Sequence, residues 1–102
     1  MIRYTTPTIT LSIDTVLPEA EVYVTFQQGT KKLTKTDAEI TRNAKTTTLV
    51  VSLTQSESAS FKAGEPVMVQ ANWITADGTR NATKAASVTT IDNLLDEVIS
   101  YG

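Results

Sequence analysis

The feature of this sequence that most constrains its fold is a strict alternation of apolar and polar positions. It is clearest in AEVYVTFQ, residues 20–27, where Val22, Val24 and Phe26 share one face and Tyr23 lies on the other. The same period recurs in TITLSI (8–13), TTTLVVSL (46–53) and VMVQANWI (67–74). A period of two residues is typical of strands that bury one face, so these four segments are predicted to be β-strands.

Three shorter strands complete the expected fold. They are predicted at 31–36, where lysines would face water on a sheet edge, at 38–41, and in RNATKAASVTTI (80–91), with 84–91 as the favoured part. Turns are expected at Gly29, at 42–45 (RNAK) and at the Asp77–Gly78 pair. In addition, 35 of the 102 residues are β-branched. Seven short strands predict an all-β, immunoglobulin-like β-sandwich, with residues 1–102 as a single domain and a C-terminal tail from about residue 92.

One helical turn is expected between the fifth and sixth strands. Residues 54–57, TQSE, form a capping-box pattern in which Thr54 and Glu57 can each bond the backbone amide of the other. A turn of helix near 54–60 would place Ala59 and Phe61 over the open end of the core. Trp73 shares its face with three apolar residues of its strand, which favours a core position over an exposed platform for a sugar ring.

The sequence also disfavours several classes of function. It contains no histidine or cysteine, and serines such as Ser52 and Ser58 have no nearby basic partner in the sequence, so we expect no catalytic residues and no enzyme. The carboxylates are too scattered to predict a metal site, and no cofactor is expected. A net charge of −2 without basic blocks argues against a nucleic-acid partner. No apolar run approaches the roughly 20 residues of a membrane span, and the first residues lack a signal-peptide pattern, so a soluble cytoplasmic protein is expected.

The last residues, IDNLLDEVISYG, carry a separate apolar stripe. Ile91, Leu94, Leu95 and Val98 are spaced as on one face of a short helix, which Asp92 could cap. Two turns of helix are not stable alone, so the stripe would pack either on its own sandwich or on a partner. Tyr23 would be either solvated or part of a contact surface. The candidate partner-contact residues are therefore Tyr23, Leu94, Leu95, Val98, Ile99 and Tyr101.

Two stretches, YVTFQQGTKKLTKTDAEIT and LVVSLTQSESASFKAGEPVMVQANWITADGTRNAT, resemble small structural proteins of prophage tail and baseplate regions in Gram-positive bacteria. The matching features are the Phe26–Gln27 step, a segment similar to L-T-Q-x-E-T-x-x-F, a strand similar to x-V-Q-x-R, and the ADGT turn. Ser58 and Asn72 depart from that pattern, which often has threonine and arginine there. The likeness covers about residues 21–99. A more distant one is to the N-terminal sandwich domain of upper baseplate proteins of lactococcal-type phages.

Two functions from different classes remain. The resemblance implies a non-enzymatic structural or assembly protein of a phage tail or baseplate, which binds other virion proteins or itself and involves neither nucleic acid nor membrane. Such a protein would be found in the host cytoplasm during assembly and then in the virion. The alternative is an immunoglobulin-like binding module of a cell-surface or carbohydrate-active system, with its ligand in end loops such as 29–32 or 76–80.

Overall fold

The computed structural model describes residues 1–13, 20–43 and 47–101. Within them the chain forms eight strands, a short helix and one 3-10 turn. The strands are β1 (Thr8–Ser12), β2 (Ala20–Gln28), β3 (Lys31–Lys35), β4 (Ile40–Asn43), β5 (Thr48–Ser52), β6 (Val67–Thr75), β7 (Arg80–Ala82) and β8 (Ala86–Val88). Helix α1 spans Gln55–Ala59, and the 3-10 turn spans Asp37–Glu39. The turn predicted at 42–45 lies partly outside the described residues, as does the start of the predicted fifth strand.

The strands pair into two antiparallel sheets. The smaller has the order β1-β5-β4, and the larger has the order β3-β2-β6, with β7 and β8 both paired to β6. If β1 is taken as strand B of an immunoglobulin-type sandwich, the two sheets correspond to B-E-D and C′-C-F-G of that arrangement. The predicted all-β sandwich is confirmed.

The inward faces of both sheets supply the core. Val22, Val24 and Phe26 on β2 are fully buried, as the alternation predicts. Trp73 on β6 is 7% exposed, so its predicted core position is confirmed. One cluster of buried apolar side chains contains residues of both sheets and Phe61, which follows α1. Its members are Leu11, Ile13, Val22, Val24, Phe26, Ile40, Leu49, Val51, Leu53, Phe61, Val67, Val69, Ala71 and Trp73.

The predicted seventh strand is two strands separated by a β-bulge. Asn72 of β6 pairs with Ala82 of β7, and Val69, three residues earlier on β6, pairs with Ala86 of β8, four residues after Ala82. One extra residue therefore lies between β7 and β8. Thr83 makes the break: its amide donates to the Ala71 carbonyl (2.9 Å), and its hydroxyl accepts from the Ala71 amide (3.1 Å). The shift turns Val88 toward the core, opposite Val67, whereas an unbroken strand would turn it to solvent.

Helix α1 forms as its capping box predicts. The Thr54 hydroxyl accepts from the Glu57 amide (3.2 Å), and the Glu57 carboxylate accepts from the Thr54 amide (2.8 Å). Phe61 is fully buried as expected, but Ala59 is only half-buried and the buried residue of the turn is Ser58. A hydroxyl is tolerated there because it donates to the Thr5 carbonyl (2.7 Å), which ties the N-terminal segment to α1.

The expectation that all the lysines of β3 face water is wrong for Lys35, which is 6% exposed. Its ammonium donates to Glu57 Oε1 (2.7 Å) and Glu39 Oε2 (3.3 Å), so the buried charge is paired on both sides. Burial by itself lowers the pKa of Lys35, but these two hydrogen bonds outweigh it and raise that pKa above its usual value. The capping glutamate of α1 thus also ties α1 to an edge strand.

The predicted C-terminal helix is wrong. Residues 92–101 contain no helix, and Asp92 forms an ion pair with Arg3 (3.2 Å) instead of capping a helix. Asp96 and Glu97 would lie at the C-terminal end of such a helix, where the helix dipole disfavours negative charge. The apolar stripe also remains unburied, so nothing compensates for the instability of a two-turn helix.

Candidate partner-binding surface

The C-terminal segment, residues 92–101, runs along the outside of the sandwich and exposes its apolar side chains. Leu94 and Tyr101 are as exposed as in an extended chain, with relative exposures of 106% and 109%. Leu95, Val98 and Ile99 are each about half exposed. The segment contacts its own domain through hydrogen bonds, but its apolar residues are not buried there.

The near end of the segment is held by the first residues of the chain. Ile2 and Ile91 form a parallel bridge, with the Arg3 amide donating to the Ile91 carbonyl (3.0 Å). Asn93 Nδ2 donates to the Arg3 carbonyl (3.1 Å). The Arg3 guanidinium in turn donates to the Ala59 carbonyl at the end of α1 (2.6 Å). The point where the segment leaves the sandwich is therefore fixed by several hydrogen bonds.

The far end is held by one side chain of α1. Gln55 Nε2 donates to the Ile99 carbonyl (2.7 Å), and Gln55 Oε1 accepts from the Ile99 amide (2.9 Å). An amide side chain that satisfies both backbone groups of one residue reproduces a pair in a β-ladder. Next to this clamp, Val98 lines a shallow groove with Thr6, with residues 52–54 at the end of β5, and with the first residues of α1. The clamp fixes the backbone while the neighbouring side chains stay exposed.

Tyr23 lies on a different surface, the outer face of the larger sheet. It borders a groove of about 360 Å³ whose other lining residues include Asn72, Ile74 and Arg80. The Tyr23 hydroxyl donates to Glu21 Oε2 (2.9 Å), and this hydrogen bond, with the negative charge of Glu21, raises the pKa of Tyr23. The groove at Tyr23 and the groove at Val98 share no lining residue. Tyr23 therefore lies apart from the other five predicted contact residues, which all belong to the C-terminal segment.

The residues that hold the segment were not predicted from the sequence. The sequence pattern indicates Gln55 only as part of the capping box and gives no role to Arg3 or Asn93. Apart from the local bond in which Asn93 Oδ1 accepts from the Leu95 amide (3.2 Å), their bonds to the segment or to the first residues join positions at least 44 apart, so no local spacing indicates them. The apolar residue Ile2 is a weak indication in the sequence that the first residues pair with residues near 91.

Both end loops proposed for the alternative function are accessible. The turn at Gly29 borders a groove of about 250 Å³ together with Lys31, Lys62 and Glu65. The turn at Gly78 is a hairpin turn in which Asp77 accepts hydrogen bonds from the Thr75 hydroxyl and the Thr79 amide. These bonds lower the pKa of Asp77, so its low pKa has a structural explanation in the turn.

Across residues 1–13, 20–43 and 47–101, no group of three or more acidic, histidine or cysteine side chains is placed to hold a metal ion. No helix in this part of the chain is long and apolar enough to cross a membrane. Comparisons of the chain with protein-family models, with curated proteins and with solved structures found no match.

Proposed function

We propose that this protein is a non-enzymatic structural or assembly component of a phage tail or baseplate, and that it binds other virion proteins through its C-terminal segment. The observation that carries the proposal is the exposure of Leu94, Leu95, Val98 and Ile99 on a backbone that is held at Asn93 and at Ile99, with the exposed Tyr101 directly after it. The assignment to a phage particle rests on the resemblance of residues 21–99 to prophage tail-region proteins.

The restricted backbone of the C-terminal segment lowers the entropic cost of binding a partner. A segment that was merely unstructured would lose conformational entropy when a partner ordered it, at about 1–2 kcal/mol per residue. Here the clamp from Gln55 and the bonds from Arg3 and Asn93 already restrict the segment. A partner with an apolar surface could therefore bury five large side chains with a smaller ordering cost.

The proposal is tested by looking for the chain in phage particles. Cells that carry the gene are induced, particles are purified by density gradient, and the amount of the chain per particle is measured by mass spectrometry. We expect a fixed stoichiometry. Particles that assemble and infect normally without the chain would refute a structural role.

Matched variants locate the contact. The double variant Leu94→Ser with Tyr101→Ser changes two fully exposed apolar residues, so it should keep the melting temperature of the wild type and lose incorporation into particles. Ile74→Ser is the control, because Ile74 is an exposed apolar residue (40%) on the larger sheet. If Ile74→Ser abolishes incorporation and the double variant of Leu94 and Tyr101 does not, the contact surface is the larger sheet and not the C-terminal segment.

The alternative function remains a sugar-binding or cell-surface module. The observation that favours it is the groove beside Tyr23, where an aromatic ring lies next to the side chains of Asn72 and Arg80, which can bond hydroxyl groups. A glycan array probed with the isolated protein distinguishes the two functions. Binding that Tyr23→Ala abolishes would support the module.

A further inference from the structure

The outer edge of the smaller sheet carries a second interaction surface, formed by β1. Thr10 of β1 pairs with Val50 of β5. In the same register, the Leu53 amide donates to the Pro7 carbonyl and the Ile13 amide donates to the Thr47 carbonyl. The odd-numbered residues of this antiparallel pair therefore bond to β5. The amides and carbonyls of Thr8, Thr10 and Ser12 point away from β5, and no backbone bond to them is made from that side within the described part of the chain.

β1 also lacks the charges that protect the sheet edges β3, β4 and β7. β3 carries Lys31 and Lys32, β4 carries Arg42, and β7 carries Arg80. Charged side chains on edge strands oppose pairing with another chain. β1 reads Thr-Ile-Thr-Leu-Ser over five residues and contains no charge, while the other uncharged edge, β8, has only three residues. Among the described strands, β1 is thus the longest sheet edge that no charge protects.

We propose that β1 pairs antiparallel with β1 of a second copy of this chain, across a two-fold axis at Thr10. In that register Thr10 faces Thr10 of the other copy, and Thr8 faces Ser12 of the other copy. The outward backbone groups of these residues then form six hydrogen bonds between the copies. The two three-stranded sheets become one six-stranded sheet.

The side chains of β1 fit this register on both faces. On the outer face, Thr8, Thr10 and Ser12 are exposed, and hydroxyl residues form favourable cross-strand pairs. On the inner face, Ile9 is only half-buried although it points to the core. The same register places Leu11 of the second copy opposite Ile9, which covers the part of Ile9 that its own domain leaves exposed. A self-complementary edge favours a second copy over an unrelated strand.

The first test is the mass in solution, measured by sedimentation velocity over a roughly hundredfold concentration range. The wild type should rise from 11.0 kDa toward twice that mass. Thr10→Lys places two like charges face to face at the axis, so the concentration at half-dimerisation should rise about tenfold or more. A wild type that stays monomeric over the whole range would overturn the proposal.

Thr41→Lys is the matched control. Thr10, Val50 and Thr41 lie in one row across the smaller sheet, so the control adds the same charge to the same row at the opposite edge. It should leave dimerisation unchanged, and equal weakening by both variants would overturn the proposal. A mixture of Thr10→Lys and Thr10→Glu chains should recover dimers, because opposite charges then meet at the axis.

Two further measurements keep the test valid if a variant folds poorly. Amide hydrogen exchange of wild-type Thr8, Thr10 and Ser12 should slow as concentration rises, and unchanged exchange in a dimer would overturn the proposal. Deleting residues 94–102 should leave dimerisation intact. If the deletion abolishes dimers and Thr10→Lys does not, the interface lies in the C-terminal segment, so failure of this inference can be told apart from failure of the proposed function.

Discussion

Phe61 offers the sharpest test of how the helical turn stabilises the sandwich. Its side chain is fully buried, and its ring lies 6.5 Å from that of Phe26 with a 45° tilt between the ring planes. The Lys31 ammonium lies 5.5 Å from the centre of the same ring. Phe61 thus covers the end of the core between β2 and α1, and Phe61→Ala would leave a cavity there.

The expected loss follows from what the substitution removes. Large-to-small changes at fully buried phenylalanines cost about 3–5 kcal/mol, including the cavity. The tilted contact with Phe26 accounts for about 0.5–1.5 kcal/mol of that. The buried side chain of Gln28 donates to the carbonyls of Lys62 and Glu65 and so holds residues 62–65 in place, which limits relaxation into the cavity. We therefore expect a loss of about 3–5 kcal/mol. For a domain of this size, such a loss lowers the melting temperature by about 12 °C or more.

Urea unfolding followed by tryptophan fluorescence measures the loss, because Trp73 is the single tryptophan and is buried in the native state. Phe61→Leu is the control: it keeps most of the apolar volume and should cost less than about 1.5 kcal/mol. Thr54→Ala removes only the helix cap and should cost about 1 kcal/mol. If Thr54→Ala destabilises the protein more than Phe61→Ala does, the account of Phe61 as the cover of the core is refuted.

Three further predictions concern Trp73 in the core, the ion pair between Lys35 and Glu57, and the C-terminal segment. Trp73→Ala should cost about 3–5 kcal/mol in urea unfolding, and a melting temperature close to the wild type would contradict its burial. Burial alone would raise the pKa of Glu57, but bonds from Lys35 and from the Thr54 amide lower it below 4.5. A lowered acid pKa means that the unfolded state binds more protons, so wild-type stability should fall as the pH drops below about 4.5. Glu57→Gln should cost about 1–3 kcal/mol at pH 7 and show a weaker pH dependence below 4.5, and an equal dependence would contradict the role of Glu57. Gln55→Ala should change the unfolding free energy by less than about 1 kcal/mol but speed hydrogen exchange at the Ile99 amide, and unchanged exchange there would show that the clamp does not hold the tail.

The sequence determined those features whose causes lie within a few residues. Alternation in β2 and β6 fixed which face is buried, because a strand places successive side chains on opposite sides. The Thr54–Glu57 pattern fixed where α1 begins, and Asp77–Gly78 fixed a hairpin turn, since each depends only on neighbouring backbone groups. The all-β class followed from these local signals taken together.

Tertiary structure decided the features whose partners lie far along the chain. From the sequence, Lys35 is predicted to be a solvent-facing lysine of an edge strand. In the structure, Glu57 of α1 lies beside it and forms an ion pair with it. The bulge at Thr83 exists because its hydroxyl replaces a carbonyl opposite Ala71.

The C-terminal segment shows the same division. Its apolar content is visible in the sequence, and so are five of the candidate contact residues. Its conformation is not, because the helical spacing is a weak preference over two turns, whereas the bonds from Arg3 and Gln55 to residues near 91 and 99 join distant positions. Local periodicity therefore indicated which residues could bind a partner, and long-range hydrogen bonds decided how they are presented.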